Sequence, residues 1–181
     1  MFDLTQNISI ETKRLIIKNP SMDDFPEVFK MKCCREVTKF TGGVTKESYE
    51  KEMSNYFKRI NTFGTKNNYV FSLIEKKSNK YVGYCGFRFC NIINNIEIIY
   101  GFSKSAWQKG YGKEAALKIL FYGFNDLKYE EIYAVVNPLN TASERILTHI
   151  GMKYIKKIDL PDHGKVSLYF VKREEFLNTD Y

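Results

Sequence analysis

The sequence predicts an α+β fold built on a mixed, mostly antiparallel central sheet of about seven strands with flanking helices. Three observations carry this expectation. Strand-like runs at 69–74, 81–89 and 96–102 follow one another, each aromatic or β-branched. Ser78-Asn79 and Asn94-Asn95 place turn-forming residues between them, so the runs read as an antiparallel meander. A helix at 110–126 with Ala116, Leu117, Leu120, Phe121 and Phe124 on one side then leads into a buried-type strand at 132–136, a helix-and-strand unit at the centre of the sheet.

The remaining elements fall into place around these. The apolar run Leu15, Ile16, Ile17 within 13–18 gives a first strand. Ser21-Met22-Asp23-Asp24 starts a helix carrying Phe25, Val28 and Phe29. Gly42-Gly43 marks a loop, and Thr45 with Ser48 opens a second helix whose stripe of Tyr49, Met53, Tyr56, Phe57 and Ile60 reads as core rather than a base-stacking platform. Pro138 ends the strand at 132–136. Thr141-x-x-Glu144 reads as a capping box for a short helix with Ile146, Leu147 and Ile150, stopped by Gly151. A hairpin of 152–158 and 166–171 turns at 161–164, where Pro161 and Gly164 allow the chain to reverse. With 181 residues, no repeat and no low-complexity tract, 1–181 reads as a single domain.

Composition narrows the function classes. Aromatics are 15% and hydrophobics 44%, which fits a packed globular chain. The net charge of +7 suggests acidic partners such as phosphates. The lysines are scattered without a like-charge run, and they do not interleave with aromatics in a nucleic-acid motif, so nucleic acid is not the expected partner. The four cysteines, Cys33, Cys34, Cys85 and Cys90, form no C-x-x-C, and two histidines accompany them, so no metal is expected. Without a basic-then-apolar start or a long apolar run, the chain reads as a cytoplasmic protein with reduced thiols and no membrane partner.

The informative stretch is Ser103-Lys104-Ser105-Ala106-Trp107-Gln108-Lys109-Gly110-Tyr111-Gly112-Lys113-Glu114, between a strand and a helix. The first N–H groups of a helix have no internal acceptors and lie at the positive end of its dipole. Glycines let the backbone approach a ligand, so such a turn suits a pyrophosphate. Read alone, the same glycines also suit a tight helix entry. Gly110-x-Gly112-x-x-Ala115 matches a dinucleotide fingerprint formally, but the first glycine lies several residues beyond the strand and no acidic residue ends the next strand. A P-loop fails because Trp107 stands at its first glycine and Glu114 follows Lys113.

Four separated features together resemble the GNAT superfamily of N-acetyltransferases, and within it the RimJ/RimL-like group. They are Glu11-Thr12-Lys13-Arg14-Leu15-Ile16-Ile17, Val82-Gly83-Tyr84-Cys85-Gly86-Phe87, Glu97-Ile98-Ile99-Tyr100-Gly101-Phe102 running into Trp107-Gln108-Lys109-Gly110-Tyr111-Gly112-Lys113-Glu114-Ala115, and Asn137-Pro138-Leu139-Asn140-Thr141-Ala142-Ser143 followed by Ile150-Gly151-Met152. The resemblance spans about 11–171. It implies a GNAT-like sheet splayed between the fourth and fifth strands of the expected seven, with acetyl-CoA entering the gap. The pyrophosphate would rest on main-chain N–H groups of Gln108, Lys109, Gly110, Tyr111, Gly112 and Lys113. The pantetheine arm would pair with Ile99, Tyr100, Gly101 and Phe102 and receive a hydrogen bond from the Asn140 side chain, which otherwise reads as a turn residue. Trp107 stands where the wider superfamily has Gln or Arg. Leu147 stands where many members have a tyrosine acid, and leucine cannot donate a proton.

The implied chemistry is direct attack of a neutral amine on the thioester. It needs a base, donors for the oxyanion among strand N–H groups near 100–102, and an acid for the departing sulfur. Glu97 is the expected base, with a solvated strand carboxylate as the alternative. Ser143 is the expected acid, with a helix-start residue satisfying a backbone donor as the alternative. The acceptor is a primary amine: a peptide N-terminus, a polyamine or an antibiotic, framed by 40–45, the first two helices and the turn at 161–164. A binding module without catalysis, for acyl-CoA or nucleic acid, is the competing class. Either a monomer or a homodimer fits.

Overall fold

The first described elements form a hairpin that the sequence did not announce. β1 (Ser9–Glu11) pairs antiparallel with β2 (Leu15–Lys18), Ile10 opposite Ile17. Three residues of which two are polar give too short a pattern to read as a strand. Its pairing brings the sheet to eight strands among the described residues, where about seven were expected. The structure, a computed structural model, describes residues 7–65, 67–160 and 164–179. The chain start at 1–6 and most of the turn expected at 161–164 lie outside the described residues.

A 3-10 turn at Met22–Asp24 leads into α1 (Phe25–Cys33), where Ser21 N–H donates to Asp24 Oδ2 at 3.0 Å. A second 3-10 turn, Lys46–Ser48, leads into α2 (Tyr49–Asn61). The Thr45–Ser48 contact differs from the expected cap: Ser48 Oγ donates to the Thr45 carbonyl at 2.6 Å. Nor is the α2 stripe all core. Tyr56 is buried against Phe25 of α1, but Tyr49, Met53 and Phe57 are exposed, so only one side of the stripe is covered.

The meander follows as expected: β3 (Tyr69–Glu75), β4 (Lys80–Cys90) and β5 (Asn95–Phe102), each antiparallel to the one before. Asn79 and Asn94 take positive φ of 54° and 49°, a conformation asparagine tolerates and most residues do not. α3 (Tyr111–Asn125) then crosses to β6 (Glu131–Val136), which runs parallel to β5. α4 (Thr141–His149), β7 (Lys153–Leu160), β8 (Gly164–Lys172) and a short α5 (Arg173–Leu177) complete the chain. The strand order is β1-β2-β3-β4-β5-β6-β8-β7, so β8 inserts between β6 and β7.

Strand alternation divides the side chains between two faces. On one face α3 buries Ala115, Ala116, Ile119, Leu120 and Phe124 against Leu15, Ile17, Phe71, Leu73, Phe87, Ile98 and Ile132. Gly123 brings α3 down on the sheet, since a Cβ there would meet Phe87 Cζ at 2.6 Å. On the other face α1 and α2 form a smaller cluster from Phe25, Val28 and Tyr56, with Tyr81 packed against it.

Candidate active site

Two parallel strands that belong to different ladders make the site. β4 pairs with β5 from Cys90–Asn95 to Gly83–Phe102, and β8 pairs with β6 from Glu131 to Val136. Between β5 and β6 the register meets at Glu97 and Tyr133. Past that point, among the described residues, the side of β5 facing β6 has no ladder through Ile99, Tyr100, Gly101 and Phe102. The sheet is therefore split toward the C-terminal end of β5, and the next residues form the turn into α3.

That turn presents donors. Gln108 and Gly110 take positive φ of 60° and 77°, which turns successive N–H groups outward before the helix begins. Trp107 Nε1 donates to the Phe102 carbonyl at 3.1 Å, pinning the turn to the strand end. The first bond back into the turn is Glu114 N–H to the Gly110 carbonyl at 3.3 Å. Among the described residues, the N–H groups of Gln108, Lys109, Gly110, Tyr111, Gly112 and Lys113 have no acceptor. The positive end of the α3 dipole adds to their field. The lysines add less than the sequence suggests. Lys104 is paired with Glu36 at 2.6 Å and Lys109 with Glu75 at 3.6 Å, while Lys113 has no ion pair among the described residues.

The opening strand motif braces this turn from the far side. Arg14 pairs with Glu114 at 2.6 Å and its Nη1 donates to the Lys109 carbonyl at 2.6 Å. Thr12 Oγ1 and Arg14 N–H both donate to Glu114 Oε1, at 2.6 and 2.8 Å. Burial alone would raise the Glu114 pKa, but these hydrogen bonds outweigh it and hold the carboxyl below its ordinary range. Glu75 accepts from Ser78 and from the Tyr111 hydroxyl, and those bonds hold its pKa down at about 2.

α4 supplies the other bank of the split. Asn140 is its N-cap, its side chain accepting from Ser143 N–H at 3.2 Å. The cap is thus one residue before the Thr141 expected from the capping box. Ser143 Oγ lies 2.9 Å from the Tyr100 hydroxyl, which also donates to the Ser143 carbonyl at 3.2 Å. Burial raises the Tyr100 pKa, so its proton is held across the neutral range. Leu147 is buried in the core at 1% exposure. Gly112 ties turn, strand end and helix together: a Cβ there would lie 2.5 Å from Ile146 Cδ1 and 3.6 Å from Phe102.

The structure therefore gathers Ile99, Tyr100, Gly101, Phe102, the turn residues 108–113, Asn140 and Ser143 around one opening. Glu97 stands apart. It is 2% exposed, at the closed end of the split, and it accepts from Arg88 Nε at 2.5 Å. The solvated strand carboxylate considered as its alternative is ruled out by this burial. Arg14, Glu75, Glu114 and the Tyr100 hydroxyl were not expected in the site. The opposite charges of Arg14 and Glu114 were a signal, but 100 residues separate them. A groove of about 760 Å³ lined by Ile8, Ile10, Phe63, Tyr69, Phe121 and Tyr122 shares no residue with this opening. Among the described residues no cluster of His, Cys, Asp and Glu has the make-up to hold a metal, and no helix is long and apolar enough to cross a membrane.

A mostly antiparallel sheet parted at one parallel pair, with a donor-lined turn at the opening, is the arrangement that the GNAT resemblance implied. The family described as Acetyltransferase (GNAT) domain matches residues 14–153, so the chain belongs to that family and is an N-acetyltransferase. It is similar to the uncharacterised N-acetyltransferase p20 of Bacillus licheniformis, 29% identical over 80% of this chain and 82% of that one. It is also 30% identical to the uncharacterised N-acetyltransferase YnaD of Bacillus subtilis over 80% of this chain and 82% of that one. Among solved structures, a GNAT-family acetyltransferase from Bacillus anthracis superposes with a TM-score of 0.77 at 26% identity, covering 92% of this chain and 99% of that chain. A point mutant of the spermidine N-acetyltransferase SpeG of Vibrio cholerae shares the fold with a TM-score of 0.70 at 16% identity, over 92% of this chain and 98% of that chain.

Proposed function

We propose that the chain, as one domain over 1–181, transfers the acetyl group of acetyl-CoA to a primary amine by direct attack in a ternary complex. The reading places it in the RimJ/RimL-like group and in the cytoplasm, acting on a peptide N-terminus or a small amine. The observation that carries it is the row of unpaired main-chain donors at 108–113, opening onto the split between β5 and β6. A diphosphate matches that row in charge and in its need for donors. The ladder-free edge of β5 at 99–102 suits the amides of a pantetheine arm, and Asn140 stands across from it.

In this reading acetyl-CoA supplies the thioester. The amine forms the C–N bond, the C–S bond breaks, one proton leaves the nitrogen and one reaches the sulfur. The main-chain N–H groups of Tyr100 and Phe102, on the side of β5 away from β4, face the developing negative oxygen. Because Glu97 lies apart from the opening, it takes the proton through a relay of water rather than by contact with the amine, giving up its bond to Arg88 as it does so. Ser143 Oγ delivers one to sulfur and regains it from solvent. Thiol release from acetyl-CoA with a panel of amines and peptides, read beside a mass gain of one acetyl group on the acceptor, tests the proposal. Glu97→Gln should lower kcat about a hundredfold at unchanged coenzyme affinity. Coenzyme binding without turnover on any acceptor would leave a binding module instead.

A further inference from the structure

The groove of about 760 Å³ on the α3 side of the sheet has the size of a small-molecule site. It runs between the edge strand β1 and the outer side of α3, and Ile8 and Ile10 form one wall. Its floor is aromatic. Phe63 packs edge-on against Tyr69 and the buried Phe71, with ring centres 5.8 and 5.1 Å apart. Tyr122 of α3 meets the same two rings edge-on, at 6.4 and 5.7 Å. A planar guest ring laid on this floor continues that edge-to-face packing.

Polar groups open into the groove without partners. Tyr69 is 8% exposed, and both it and Tyr122 line the groove. Among the described residues neither hydroxyl has a hydrogen-bond partner. Burial raises the pKa of both, and the charge of Asp126 adds to the rise at Tyr122, so both keep their protons and act as donors. Lys118, one helical turn before Tyr122 and also on the groove, has no ion pair among the described residues. A guest that displaces water from these donors must bring acceptors of its own. The charges set its direction. Glu11 is neutralised by Lys76 at 2.8 Å. Asp126 lies at the far end of α3, about 12 Å along the helix axis from Lys118, so an anion held by Lys118 stands clear of it.

We infer that the groove binds a small aromatic carboxylate, with its ring on the floor of Phe63, Tyr69 and Tyr122 and its anionic oxygens accepting from Lys118 and the tyrosine hydroxyls. Asp126 at the other end accepts from a ring hydroxyl. No bond is made or broken in the groove. The site does not depend on the transferase reading, because the groove shares no residue with the opening between β5 and β6.

The test is calorimetry with 4-hydroxyphenylacetate, its carboxamide and benzyltrimethylammonium, with and without saturating coenzyme A. Wild type, Lys118→Gln and Tyr122→Phe are used, with a urea midpoint for each protein. The acid should bind wild type at submillimolar concentration whether or not coenzyme A is present, and its carboxamide about tenfold more weakly. The quaternary cation should give no heat. Lys118→Gln, a surface change that leaves the fold intact, should remove the preference for acid over carboxamide. Tyr122→Phe, which keeps the ring, should weaken the acid about fivefold. Equal affinity of wild type for acid and carboxamide, tighter binding of the cation, or a preference that survives Lys118→Gln would each overturn the inference. So would displacement of the acid by coenzyme A, which would place it on the turn at 108–113 instead, or no heat from the acid at about 10 mM. Failure of wild type to bind coenzyme A is a different result: it removes the transferase reading and leaves the groove to be judged on the acid alone.

Discussion

The Tyr100 hydroxyl on β5 lies 2.9 Å from Ser143 Oγ at the start of α4, joining the two banks of the split sheet. A hydroxyl pair thus stands at the opening, on a chain whose last long helix carries Leu147 where the resemblance would place a tyrosine. Ser143→Ala should lower kcat about a hundredfold with little change in coenzyme affinity, and Tyr100→Phe about tenfold. Steady-state thiol release measures both. Because burial raises the Tyr100 pKa, the hydroxyl keeps its proton well past neutrality. The wild-type rate should therefore show no fall from this group as pH rises from about 7 toward its ordinary 10.0.

The brace behind the turn gives an acid signature. Glu75 and Glu114 both have folded pKa values below the ordinary 4.5. A depressed carboxylate contributes stability that is present above its unfolded pKa and lost as pH falls through the folded one. For Glu75 that window runs from 4.5 down to about 2. Urea midpoints of wild type should fall steeply from about pH 5 to about pH 2.5, and those of Glu75→Gln less steeply, starting from a lower value at neutral pH. Arg14→Ala should cost about 1 kcal/mol, because the pair is partly exposed, and weaken coenzyme A binding about tenfold by releasing the Lys109 carbonyl.

Two glycines should respond in opposite ways. At Gly112 an added Cβ meets the flexible end of Ile146 at 2.5 Å, so Gly112→Ala should stay within about 1 kcal/mol of wild type, helped by the better helix former. At Gly86 the Cβ meets the Tyr69 carbonyl oxygen at 1.9 Å, and neither backbone can yield. Gly86→Ala should cost about 3 kcal/mol or more. Chemical denaturation of both variants checks the contrast.

Leu147 is a packing residue, buried at 1% between α4 and the core. Leu147→Ala should cost about 3 kcal/mol through the cavity it leaves. Leu147→Tyr should destabilise by about 1–3 kcal/mol and give no gain in kcat, since the pocket is filled. Denaturation midpoints and thiol release separate the two effects.

Much of this was legible in the sequence because it was written locally. Asn79 and Asn94 fixed the meander turns, and the glycines around Tyr111 marked the donor-lined entry to α3. What was not legible depends on contacts between distant segments. Arg14 and Glu114 meet only because β2 and α3 pack on the same side of the sheet. Glu97 read as a solvated group or a base, and nothing in the chain around it signals that Arg88 will cover it. The α2 stripe read as core, but its coverage depends on how α1 packs beside it. β1 is too short to carry a period at all.

The central claim is that main-chain donors at 108–113 hold a diphosphate beside the split of β5 and β6. Calorimetric titration with coenzyme A and, in parallel, with pantetheine tests it most directly, because the two ligands share the arm and differ in the diphosphate. The account predicts one coenzyme A per chain at micromolar concentrations and pantetheine weaker by about a hundredfold or more. Equal affinity for the two, or no heat from coenzyme A at millimolar concentration, would contradict it.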